Sequence, residues 1–269
     1  MRKEKLKHLA IGLVAFTLSC VNAKAATTIT VAVTPTAAAA IVDLVADFVN
    51  ANPTYDVAVV GSSDSLSKDA IVAGGATGPY DLLLAQSYLV PADLKYFYPG
   101  LVSGDLFPFA KDTLVLYSTT VDISGGIPLQ LQAFSVPDPA TLDPYGVAAV
   151  QAMRAEYLYA LAKSLPVKTA DASGSYAQVA YLGTAYGFTG KSQICTAVTG
   201  VEQYEAGSFH REYVLGQNYV TDIVLAGVKL ARSRTAAQET ALTAFVNFLT
   251  SAKATALQHH CYKLPSAVP

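Results

Sequence analysis

Residues 28–33 (TITVAV) alternate and are rich in β-branched side chains, which predicts a strand. Over 37–50 the period becomes helical. Ile41, Leu44, Val45 and Phe48 fall on one face, and Asn52-Pro53 stops the run. Residues 55–60 predict a second strand, and 65–73 a short helix ended by Gly74-Gly75. At 81–85 (DLLLA) the pattern is apolar after the first residue, as in a strand of a parallel sheet covered on both faces. Strand, helix, strand, helix, strand is the order of a doubly wound α/β unit.

Residues 91–98 predict a surface helix, and 113–118 (TLVLYS) a strand on which the chain leaves this first unit. A second α/β unit begins with the apolar run 133–136, a turn, and a helix from Tyr145. Further helices are predicted over 156–164 and 175–182, with Tyr176, Val179 and Leu182 on one face of the latter. Residues 222–230 (DIVLAGVKL) return as a strand. Residues 236–250 form a last amphipathic helix with Leu242, Phe245, Val246 and Leu249 inward. No repeat, charge block or low-complexity linker separates the halves, so strand crossovers are expected to join them. The expected organisation is a leader at 1–25, a first lobe at 26–110 completed by 222–269, and a second lobe at 111–221.

Three turns in this pattern carry chemistry. In Asp138-Pro-Ala-Thr-Leu-Asp-Pro-Tyr-Gly146, Pro144 fits the first turn of a helix, where a missing N–H costs nothing. Tyr145, Gly146 and Val147 would then present backbone N–H groups at a positive dipole end, a setting that suits an anion. Thr34-Pro35-Thr36 and Gly61-Ser62-Ser63-Asp64-Ser65 look built the same way, and the three turns are expected to face one another across a cleft. Thr34 and Ser63 also fit the commoner role of helix N-caps. Asp138 and Asp81 are expected to order backbone rather than touch an anion, which they would repel.

Composition narrows the setting. Arg2, Lys3, Lys5 and Lys7, then an apolar segment over 9–21, then Ala23-Lys24-Ala25 read as a cleavable secretory leader, which points to the periplasm. A lipid anchor at Cys20 is the weaker alternative, because Thr17 stands where an aliphatic residue is wanted. Loss of the leader removes five basic residues and one acidic one, taking the formal net charge from −2 to −6. An acidic exported protein is a poor nucleic-acid binder. An anion would therefore be held by local dipoles, not by net charge. Cys195 and Cys261 remain, and an oxidising compartment points to one disulfide between them, with two separate buried thiols as the alternative.

The chain resembles the periplasmic molybdate-binding proteins of ABC transporters, within the type II substrate-binding fold. The resemblance rests on TITVAVTPT, VVGSSDSLSKDAIVAGG, GPYDLLLAQS, DTLVLYS, DPATLDPYG and FVNFLTSAKATALQHHCYKLP, taken in that order. It covers nearly all of the chain after the leader. It implies two α/β lobes joined by a hinge, a tetrahedral oxyanion held between them, delivery to a membrane permease, a monomer, and no catalysis, metal or cofactor. Carried over by position, Thr34 and Ser63 stand at the two binding serines. Tyr145 stands at a backbone N–H after the proline, and Ser175 at a further backbone position at a helix start. Where the family has a binding tyrosine, this chain has Gly187-Phe-Thr-Gly190. Gly190 carries no hydroxyl, which makes Gly190 and its neighbour Lys191 further candidate positions and leaves the anion open. Sulfate, phosphate or an organic acid are the alternatives, as is an exported sensory or adhesin-like protein that kept the fold.

Other motifs carry less. Residues 185–192 (AYGFTGKS) match a relaxed phosphate loop, but the segment after them reaches Gly200 too soon for the long helix the mechanism needs. His259-His260 are adjacent and would point to opposite faces of an extended tail, which argues against a metal site. No Gly-x-Ser-x-Gly elbow is present.

Overall fold

The computed structural model describes residues 26–128, 132–162, 166–214 and 220–265. The leader and Cys20 lie outside them. The first part of the chain runs β1 (Thr27–Val33), α1 (Ala38–Ala51), β2 (Tyr55–Gly61), α2 (Asp64–Gly74), β3 (Leu82–Ala85), α3 (Leu89–Phe97) and β4 (Val102–Asp112). The middle part runs β5 (Leu114–Ser118), β6 (Phe134–Pro137), α4 (Pro144–Ala155), α5 (Tyr159–Ala162), β7 (Pro166–Thr169), α6 (Ala172–Ala180) and β8 (Gly187–Gly190). It continues through β9 (Cys195–Val198), β10 (Val201–Tyr204) and β11 (Phe209–Tyr213). The chain ends with β12 (Ile223–Leu230), α7 (Ala236–Leu249) and α8 (Thr255–His259).

Two five-stranded sheets result, in the orders β2-β1-β3-β12-β4 and β7-β6-β8-β5-β11. They share one plan. Three strands run parallel, the fourth is antiparallel to its neighbour, and the fifth is antiparallel to the fourth. Each sheet is flanked by helices, so each lobe is a doubly wound α/β unit. The chain crosses between the lobes at Asp112-Thr113-Leu114 and returns between Tyr213 and Ile223.

The apolar patterns explain the burial. All four residues of β3 are buried, as expected of a strand covered on both faces. In α1 the inward side chains are Ala40, Ile41, Leu44 and Phe48, with Val45 half-buried. From α7, Leu242, Phe245 and Leu249 meet them. The Phe48 and Phe245 rings pack edge to face at 5.2 Å.

Some elements differ from the sequence expectation. The helix expected over 156–164 breaks: α4 ends at Ala155, Tyr157 adopts a left-handed φ of 61°, and only the short α5 follows. The helix expected over 175–182 begins earlier, at Ala172, because Asp171 caps it through Gly174 N–H at 2.8 Å. It ends at Ala180, which leaves Leu182 exposed. Six strands were not expected: β4, β7, β8, β9, β10 and β11. Cys195 and Cys261 form a disulfide with Cα atoms 5.9 Å apart.

Candidate ligand-binding site

In open α/β sheets ligands gather beyond the carboxyl ends of parallel strands. Here the ends of five strands meet at one cavity of about 230 Å³. Thr34 follows β1, Ser63 to Ser65 follow β2, and Gln86 and Ser87 follow β3. Thr141 and Leu142 follow β6, and Ala170 and Asp171 follow β7. Thr34 is 1% exposed. Its hydroxyl lies near enough to Asp64 to lower that carboxyl's pKa, yet makes no hydrogen bond of ordinary geometry among the described residues. Ser63 caps α2, its Oγ accepting from Leu66 N–H at 3.4 Å. The first amides of α2, at Asp64 and Ser65, have no intrahelical acceptor, and the dipole there favours negative charge.

The lobe opposite departs from the expected cage. The Tyr145 and Gly146 amides both donate to Asp143 Oδ1 at 2.9 Å. Asp143 is the N-cap of α4, and its carboxylate occupies the place proposed for a ligand. The Tyr145 side chain is buried, and its hydroxyl donates to Asp112 Oδ2 at 2.8 Å. Ser175 is fully buried and its hydroxyl donates to Ser135 Oγ at 2.9 Å, away from the cavity. Gly190 packs against the Asp112 carboxyl and Tyr145, where a Cβ would overlap them. Lys191 is buried and committed to Glu212 at 2.6 Å and Glu202 at 2.7 Å. Thus Thr34 and Ser63 come together on the cavity wall, while the Tyr145 amide is taken up by Asp143 behind it. Ser175, Gly190 and Lys191 stand elsewhere.

Three carboxyl groups that the anion reading passed over dominate the electrostatics: Asp64, Asp143 and Asp171. Burial raises Asp64 to about 7, and the neighbouring Asp143 and Asp171 add to the shift. Burial raises Asp143 to about 6, offset in part by its hydrogen bonds to Gly146 and Gln86. Gln86 bridges the lobes. Its Nε2 donates to Asp143 Oδ2 at 2.7 Å, and its backbone N–H donates to Asp64 Oδ2 at 3.1 Å. Two buried acceptors stay without a donor, Asp64 Oδ1 and Gln86 Oε1. Among the described residues, no lysine, arginine or histidine lines the cavity. The N-cap signal of Asp143-Pro144 was present in the sequence. Nothing local flagged Gln86 or Asp64.

The remaining motifs resolve simply. Asp138 Oδ1 accepts from Ala140 N–H at 3.0 Å, and this bond and Lys168 hold its carboxyl below the usual range. Asp81 accepts from Thr30 N–H at 2.7 Å and pairs with Arg232 and Arg234. His260 pairs with Asp43 at 2.8 Å.

Two lobes of one plan, hinged by crossovers and enclosing a small polar cavity, define a solute-binding architecture. The chain belongs to the bacterial extracellular solute-binding proteins: the family model matches residues 29–260. The family binds solutes for transport and is not enzymatic. Among solved structures, the periplasmic molybdate-binding protein of Azotobacter vinelandii aligns with a TM-score of 0.73 at 21% identity, covering 88% of this chain and 100% of that one. The sulfate-binding protein SubI of Mycobacterium tuberculosis aligns at 0.65 and 15% identity, covering 90% and 88%. Iron-bound HitA of Pseudomonas aeruginosa aligns at 0.57 and 16% identity, covering 86% and 84%. These likenesses establish the fold. No functionally curated protein matches the chain in sequence. Among the described residues, no helix is long and apolar enough to cross a membrane.

Proposed function

We propose that the protein captures a small tetrahedral oxyanion, molybdate or tungstate first, and delivers it as a periplasmic monomer to the permease of an ABC importer. One observation carries this reading. The cavity lies where Thr34, Ser63 and the start of α2 face Thr141 and Asp171 of the other lobe. Its volume of about 230 Å³ suits a ligand of a few heavy atoms. Hydroxyls and helix-start amides replace part of the water around an anion, each bond to a charged group contributing roughly 1.5–3 kcal/mol. Contacts from both lobes favour the closed form through a hinge motion, which a permease can recognise.

A thermal-shift panel on the protein without its leader tests this. Stabilisation by molybdate or tungstate, lost in the Thr34→Ala, Ser63→Ala double variant, supports the reading. Response to sulfate, phosphate or an organic acid instead would keep the class and change the anion. The three carboxyl groups favour a second reading, a cationic solute. Stabilisation by a diamine and by none of the anions would select it.

A further inference from the structure

We propose that the cleft takes up one proton from solvent together with its oxyanion, and that this proton sits on Asp64 Oδ1 and is donated to the ligand. The inference rests on the oxyanion reading above. A fully deprotonated oxyanion brings acceptors only, and Asp64 Oδ1 is itself a buried acceptor without a donor. Two acceptors cannot satisfy each other unless a proton stands between them. Asp64 Oδ2 is already occupied by the Gln86 N–H, which leaves Oδ1 as the free oxygen.

Among the described residues, the groups around Asp64 offer one weak donor and no positive charge. From the turn after β1 comes Thr34, whose buried hydroxyl lies near enough to lower the Asp64 pKa in part but carries no charge. From the segment after β3 comes Gln86, neutral, with its Nε2 committed to Asp143. From the start of α4 comes Asp143 and from the start of α6 Asp171, both acidic. On its own helix, Lys68 pairs with Asp93 of α3. Among the described residues, the charged groups bearing on Asp64 are the carboxyls of Asp143 and Asp171, and each opposes a second negative charge. Burial has already raised Asp64 to about 7, so little is needed for a bound anion to complete its protonation. The protonated carboxyl would then join Thr34 and the α2 amides as a neutral donor. Carboxyl groups can serve as donors at neutral pH in this way when an apolar or anionic setting holds the proton on.

Calorimetric titration of the leaderless protein with molybdate and with sulfate, between pH 6 and 8.5, tests this directly. The chain has no Trp, so heat is a better signal than intrinsic fluorescence. Both anions are fully deprotonated in this range, so any proton bound must reside on the protein. Titrations at pH 8 in two buffers of different ionisation enthalpy count that proton. We expect uptake of about one proton per anion and an affinity that falls about tenfold per pH unit above pH 7. Asp64→Asn places a permanent N–H donor at the same position, and binding should persist at pH 8 with the slope lost. Binding with no proton uptake, or an Asp64→Asn protein with the wild-type slope, overturns the inference while leaving the oxyanion reading intact. Absence of binding by either anion at every pH overturns both. The proton count on the wild-type protein needs no variant to fold.

Discussion

Asp64→Asn should stabilise the ligand-free protein, and by an amount set by pH. In the folded chain the Asp64 carboxyl is raised from 3.8 to about 7, chiefly by burial. The gap corresponds to about 4 kcal/mol. Its sign follows from which state ionises first. Below about pH 4 the group is protonated folded and unfolded, and it costs nothing. As pH rises towards 7 the unfolded chain ionises while the folded one resists, so stability falls, and above 7 the loss is complete. Asparagine does not titrate. Its amide oxygen can still accept from Gln86 N–H. Loss of an acid at the start of α2 gives back about 0.3–1 kcal/mol through the helix dipole. The variant should therefore gain about 3 kcal/mol over wild type at pH 8 and nothing at pH 4. Urea denaturation at pH 4, 6 and 8 measures it. Asp143 titrates in both proteins, so its contribution largely cancels in the difference. A difference that is the same at all three pH values would refute the argument.

Other expectations follow from the same contacts. Replacing Cys195 and Cys261 by serine releases a 66-residue separation and should cost about 4 kcal/mol by chain entropy, read as a lower urea midpoint. Burial alone would lower the Lys191 ammonium, but Glu202 and Glu212 outweigh it and raise its pKa. Lys191→Met should cost about 2–3 kcal/mol by leaving those carboxylates unpaired, with anion affinity in the calorimeter unchanged. Gly146→Ala drives a Cβ into the Pro137 carbonyl and should cost about 1–3 kcal/mol or prevent folding, seen in thermal melts. Tyr145→Phe removes the hydrogen bond to Asp112 and should cost about 1.5–3 kcal/mol in the same melts.

The parts of the fold that were legible are those where periodicity and burial agree. α1 and α7 each show one helical period and bury the face it marks, β3 is apolar and buried throughout, and β1 alternates in sequence yet is buried on both faces from Val31 onward. β4 was illegible because it lies at the edge of its sheet, half-exposed, with Gly104 and Pro108 and two shifts of register against β12. The β9–β10 hairpin turns at Thr199-Gly200, both with positive φ, but its strands are only four residues long and largely exposed. At the site, Thr34 and Ser63 were readable as small hydroxyl residues after strands. The free amides of Tyr145 and Gly146 were misread, since Asp143 stands one residue before Pro144 and N-capping by aspartate is the commoner arrangement. Gln86 and the raised Asp64 depend on long-range proximity between the two lobes, which no local pattern encodes.

The disulfide has a consequence for how the halves move. Cys195 begins β9 in one lobe, three residues past Ser192, which hydrogen-bonds Asp112 at the crossover. Cys261 lies in the tail of the other lobe, two residues before Lys263, which bridges to Lys111 beside that same crossover. The covalent bond thus sits at the fulcrum. A covalent tie at that point would restrict sliding of one lobe past the other more than rotation about the crossover, and so help keep Thr34 opposite Asp171. Reduction would remove this covalent tie and leave the two crossovers, with the Ser192–Asp112 and Lys111–Lys263 contacts, to keep the lobes in register.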